Sequence, residues 1–203
     1  MKEMKKIILP AAFAAVVLMA GSCTGCQERK AEVAVDSMLV VKDTVTVTQK
    51  DSTVWGHLGE DTSMNVCQFV TDEGDTIFLL RHAENGEFSQ ILGSTEVDRD
   101  RYAVTIGTDG EEPYIRILVN TTQLMGVWKN KEDELALYAD GHAEGRLTKY
   151  TKWQMMNGRL VLSGKTSTEY GETDRIDTMT LTWLDRDSLK FITPQHVEMA
   201  YGR

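Results

Sequence analysis

The sequence predicts an all-β protein made of antiparallel hairpins, and three observations carry that prediction. Apolar residues recur at every second position over short runs, the spacing of a strand with one buried face. Between those runs fall four dipeptides, Asn85-Gly86, Asp109-Gly110, Asp140-Gly141 and Asn157-Gly158. Each supplies two residues that tolerate positive φ, which the tight turns of β-hairpins require. Beyond the N-terminal segment no sustained three-and-four apolar spacing predicts a long helix; residues 90–96 and 195–201 have room for a helical turn or two.

Lys2, Lys5 and Lys6 precede an apolar stretch over residues 7–20, which ends in Ala20-Gly21-Ser22-Cys23. So short an apolar run, closed by small residues, reads as a secretory signal rather than a membrane span. Small residues directly before a cysteine resemble the lipobox of bacterial lipoproteins. The resemblance implies that residues 1–22 are removed and that Cys23 becomes the acylated N-terminus. Cys26 is the competing anchor, but it would put Cys23 three positions upstream, where the motif takes Leu or a similar residue. A lipid on Cys23 implies the outer membrane of a Gram-negative envelope, on its periplasmic or its surface face, with the membrane itself as a partner. In that oxidising compartment Cys26 and Cys67 are either paired or free. Cys67 lies in the apolar run Val66-Cys67-Gln68-Phe69-Val70, where a free cysteine is an ordinary small core residue.

The chain has 203 residues, 41% of them hydrophobic, enough to bury a core in one or two domains. Residues 1–22 hold three Lys and one Glu, so their removal turns 22 basic and 31 acidic residues into 19 and 30, a formal charge of −11. That balance argues against nucleic acid as a partner, because phosphate binding takes clustered Lys and Arg. It suits a tethered protein that stays soluble and off anionic head groups.

Residues 23–42 mix charged and small side chains without an aromatic ring, the composition of a flexible tether. A first β piece spans residues 43–120. It opens on the β-branched run Thr44-Val45-Thr46-Val47-Thr48 and continues through strands at residues 54–58, 64–70, 76–80, 102–106 and 114–119. Residues 54–120 resemble the small five-stranded barrels of oligonucleotide-binding type, although the acidic charge argues against their usual ligand. Thr121-Thr122 interrupts the apolar pattern, and a second β piece spans residues 121–203. Two separate barrels and one larger barrel both accommodate this order.

In the second piece Gly126-Val127-Trp128 precedes strands marked by Leu135 and Leu137, by Tyr150 to Trp153, by Leu160 and Leu162, by Met179-Leu181-Trp183, and by Leu189 and Phe191. A Gly-x-Trp followed by short alternating strands and tight turns resembles the lipocalin-like domains of Bacteroidetes-type envelope lipoproteins. The resemblance implies a barrel or half-barrel whose closed end is plugged by Trp128, with Gly126 admitting the close approach of another segment. Fewer residues follow Trp128 than eight long strands and a terminal helix would take.

Catalysis needs a nucleophile, base or metal with partners at defined spacing. His57, His82, His142 and His196 are scattered, and no His-Glu-x-x-His, Gly-x-Ser-x-Gly or phosphate loop occurs. The charged sets Asp98-Arg99-Asp100-Arg101, Glu132-Asp133-Glu134 and Asp185-Arg186-Asp187 read as solvated turns. The aromatic residues are the candidates for binding: Trp55, Trp128, Trp153 and Trp183 with Tyr138, Tyr150 and Phe191 either line a small-ligand pocket or fill the barrel. Trp128, Tyr138, Trp153 and Trp183 are the ligand-binding candidates among them. The function expected is that of a non-enzymatic, cofactor-free lipoprotein binding a small apolar ligand or another envelope component. A structural lipoprotein with a filled barrel is the alternative, and a hydrolase the remoter one.

Overall fold

The computed structural model describes residues 50–83, 89–96, 99–110, 112–169 and 171–203, all within one compact unit, Val47–Arg203. Outside them lie the expected signal, the tether, Cys23, Cys26, the expected strand at 44–48, the Asn85-Gly86 turn and Asp98.

The first sheet begins as a meander of β1 (Thr53–Leu58), β2 (Val66–Thr71) and β3 (Thr76–Leu80). After β4 (Gln90–Leu92) come the longer β5 (Arg101–Asp109) and β6 (Glu112–Asn120). The strand order is β3-β2-β1-β5-β6-β4. Leu80 of β3 also pairs in parallel with Tyr114 of β6, which closes five strands into a small barrel. Its interior holds Cys67, Phe69, Leu79, Tyr102, Val104, Ile115 and Leu118. The strand β4 runs along the far half of β6, in the stretch 90–96 where the sequence left room for a helical turn. Alternation is too brief in three residues to distinguish strand from helix, and pairing with β6 decides.

The second sheet follows α1 (Thr121–Leu124), a single turn capped by the Asn120 side chain, which accepts from Gln123 N–H at 2.9 Å. Its strands are β7 (Gly126–Lys129), β8 (Glu134–Leu137), β9 (Ala143–Gly145), β10 (Lys149–Met156), β11 (Arg159–Thr168), β12 (Gly171–Leu184), β13 (Ser188–Ile192) and β14 (Glu198–Gly202). The order β10-β11-β12-β13-β14-β7-β8-β9 is antiparallel throughout. A bridge between His142 and Lys152 brings its two edges together. There Trp153 N–H donates to the Gly141 carbonyl at 2.8 Å, so the ring is nearly closed. Eight strands fit into so short a chain because β7, β8 and β9 have only four, four and three residues. Residues 195–201, with room for helical turns in the sequence, instead lead into β14, whose Leu189↔Tyr201 register turns Tyr201 into the barrel.

The two sheets share one hydrophobic cluster. Tyr102 and Val104 of β5 face the small barrel while Ala103 between them faces the second sheet, so the strand is buried on both sides. Leu118 and Val119 divide in the same way on β6. Ala103, Val119 and Leu92 from the first sheet thereby join Leu124, Trp128, Leu184 and Leu189 in one core. Polar contacts reinforce the junction: Gly93 N–H donates to Leu184 O at 3.0 Å, and Ser52 N–H and Oγ donate to Asn157 Oδ1 at 2.9 and 2.7 Å. At the Asn157-Gly158 turn both residues have positive φ, 49° and 74°, and Met156 pairs directly with Arg159. This is the two-residue hairpin expected of an Asn-Gly pair.

Candidate functional site

The second barrel has two unlike ends. At the closed end Trp128 is fully buried and donates from Nε1 to Leu124 O at 2.8 Å. The Arg203 guanidinium lies 4.2 Å from the centre of its ring, a cation–π contact, and donates to Gln123 O at 2.5 Å and Met125 O at 2.6 Å. Gly126 has φ 131°, and a Cβ there would stand 3.1 Å from Arg203 Nη2. Gly-x-Trp at this position is therefore a fitted pair: the glycine leaves room for the cation that covers the indole.

At the open end a cavity of about 160 Å³ enters the barrel. Leu135, Leu162, Met179 and Phe191 supply its apolar wall. Its charged groups and their phenol partners form two sets, beside Thr148, Thr193 and Gln195. Asp177, only 7% exposed, accepts from Tyr150 Oη at 2.7 Å and from Arg175 Nε at 2.6 Å. Asp133 accepts from Tyr201 Oη at 2.9 Å and from Leu147 N–H at 3.0 Å. Burial, then the hydrogen bond to the partner carboxylate, pushes the phenols of Tyr150 and Tyr201 well above their ordinary value, so both stay protonated donors. Arg175 is raised by its bond to Asp177.

A second hollow, of about 310 Å³, lies between the sheets, where Trp55 and Arg101 face Met125, Asp140 and Trp153. Arg101 stacks on Trp55 at 4.7 Å and pairs with Asp72.

The four ligand candidates named from the sequence do not meet. Trp128 is the plug of the closed end. Trp153, 8% exposed, donates from Nε1 to Tyr138 O at 2.7 Å, and Tyr138 is 41% exposed and stacked on His142, so these two adjoin at the seam. Trp183 is 53% exposed on the outer wall, its Nε1 donating to Asp185 at 2.8 Å. Strict alternation from Met179 through Leu181 would have buried it. A bulge between Leu181 and Trp183 shifts the phase and buries Leu184 instead.

The mouth is lined by Tyr150 and Phe191, both in the aromatic set, and by Asp133, Arg175, Asp177 and Tyr201, which were not singled out as binding residues. One signal for them existed. Counting back by twos from Met179 puts Asp177 and Arg175 on the inward face of β12, and a charge at an inward position marks a buried partner. Two of the charged sets are more than solvated turns. Asp133 organises the mouth, and Asp100 is buried, accepting from Asn120 Nδ2 at 2.7 Å. The four histidines are exposed and apart from one another. Among the described residues Cys67 has no disulfide partner; it is buried in β2, and burial pushes its thiol up, away from the thiolate a nucleophile needs.

A family model described as lipocalin-like matches residues 120–203. The crystal structure of a lipocalin-like protein from Bacteroides thetaiotaomicron is similar at 22% identity and a TM-score of 0.35, over 39% of this chain and 95% of that one. No curated protein matches the chain.

Proposed function

Because residues 120–203 form a lipocalin-like domain, we propose that the chain is a non-enzymatic lipoprotein, acylated on Cys23 in an outer membrane, whose barrel takes a small ligand at its open end. The observation that carries the reading is the cavity of about 160 Å³ with a polar cluster set against apolar walls. Small-ligand sites have this make-up, apolar surface for affinity and a few placed polar groups for orientation. Its size fits a ligand of ring or short-chain dimensions, since a dry cavity of about 150 Å³ accepts benzene.

The small volume also favours a second reading, a barrel filled by its own side chains with an envelope protein as the partner. Native mass spectrometry of the protein taken from its envelope separates the two. A bound small molecule, lost in Met199→Trp, supports the ligand reading; an unliganded mass together with no uptake of small apolar probes rejects it. Mass spectrometry of the mature N-terminus tests the anchor: acyl chains on Cys26 in place of Cys23 reject that assignment.

A further inference from the structure

Resting on the reading of the mouth as a ligand site, we propose that the group it selects is a small organic cation, an alkylammonium. The charged residues lining the cavity are Asp133, Asp177 and Arg175, so the lining carries one negative charge in excess. Their exposures differ. Asp177 is 7% exposed, whereas Arg175 keeps 37% of its side chain in solvent and spends its Nε on Asp177. Arg175 therefore neutralises Asp177 from the solvent side, and among the described residues Asp133 has no paired cation: its partners there are a phenol and a backbone N–H. A carboxylate that meets only neutral donors beside a small hollow is the complement of an ammonium.

The rings point the same way. Tyr150, Phe191 and Tyr201 border the cavity, the last two stacked at 5.5 Å between centroids. An aromatic face is negative, attracts an alkylammonium and repels a carboxylate. Both phenols donate to carboxylates, which leaves their oxygen lone pairs as acceptors. Aromatic walls, excess carboxylate and a volume near that of a benzene-sized guest are the requirements of an ammonium cage.

The test uses three probes of one shape: choline, its neutral carbon isostere 3,3-dimethylbutan-1-ol, and the anion 3,3-dimethylbutanoate. Each is titrated into the purified full chain at low salt, with binding read by NMR shifts of the lining methyl groups and by calorimetry. Choline is expected to bind at least about tenfold more tightly than the neutral isostere, a difference in the range of a desolvated cation–π contact. In Asp133→Asn, with circular dichroism unchanged, that preference for choline over the isostere falls toward unity. Equal or tighter binding of the alcohol or the carboxylate to the wild-type protein overturns the cation assignment and leaves the mouth a ligand site. Failure of all three to bind overturns both. The comparison among probes on the wild-type chain decides the matter even where Asp133→Asn does not fold.

Discussion

Trp128 shows how much one residue settles. Fully buried beneath Arg203, it fills the closed end, so Trp128→Ala removes the indole and leaves a void that the short strands β7 and β8 close poorly. The expected loss is about 3–5 kcal/mol, read as a shift in denaturant midpoint at unchanged slope. Gly126 and Trp128 were legible because the motif is local. Arg203 was not, since its contact joins the chain end to β7 and leaves no local pattern. The tyrosines make a second prediction. Burial pushes Tyr102 to about 12 and raises Tyr150 and Tyr201 further above the ordinary 10.0. A folded state that holds these protons more tightly than the unfolded state is stabilised below pH 10 and loses that stability as pH rises through the folded values. Melting temperature should therefore fall steeply from about pH 10 upward, and Tyr150→Phe or Tyr201→Phe should flatten the fall.

Among the elements, the hairpin between β10 and β11 combines the two uses of glycine. Gly158 has φ 74°, and a Cβ there would come within 2.5 Å of Ile117 Cδ1 on the first sheet. Gly110, at φ 62° with nothing within 4 Å, has only the backbone requirement. Gly110→Ala should then cost about 1 kcal/mol, and Gly158→Ala distinctly more, because strain and a displaced side chain add. Urea melts of the two variants make the comparison. That a turn would form at Asn157-Gly158 was readable from two residues. That it would carry Ile117 on its back was not, because packing between sheets has no local signature. Trp183 failed for a related reason: alternation presumes an unbroken pleat, and a single bulge moves every later residue to the other face.

At the scale of the whole molecule the two sheets share their core, with Ala103 and Val119 of the first beside Leu124 and Leu184 of the second. The all-β class and the hairpin order followed from alternation and turn residues. The joint core did not, although the unbroken run Tyr102-Ala103-Val104-Thr105, buried at every residue, is the pattern of a strand covered on both faces. Because neither sheet can withdraw without exposing that surface, near-UV and far-UV signals should lose structure in one coincident transition. Val119→Asp should lower both together, whereas two separable melts would show that the sheets fold independently.

The Ser52–Asn157 clamp gives this arrangement a mechanical meaning. Asn157 also donates from Nδ2 to the Lys50 carbonyl at 3.3 Å, so the described chain begins pinned to the turn that ends β10. Tyr150, at the other end of the same strand, borders the mouth. Six residues of β strand lie between them, a lever of roughly 20 Å. Tension arriving from the N-terminal side is thus taken up by the clamp and by β1 on β5, and is grounded before it reaches the rim. If residues 23–42 tether the domain as proposed, the mouth can keep its shape under load.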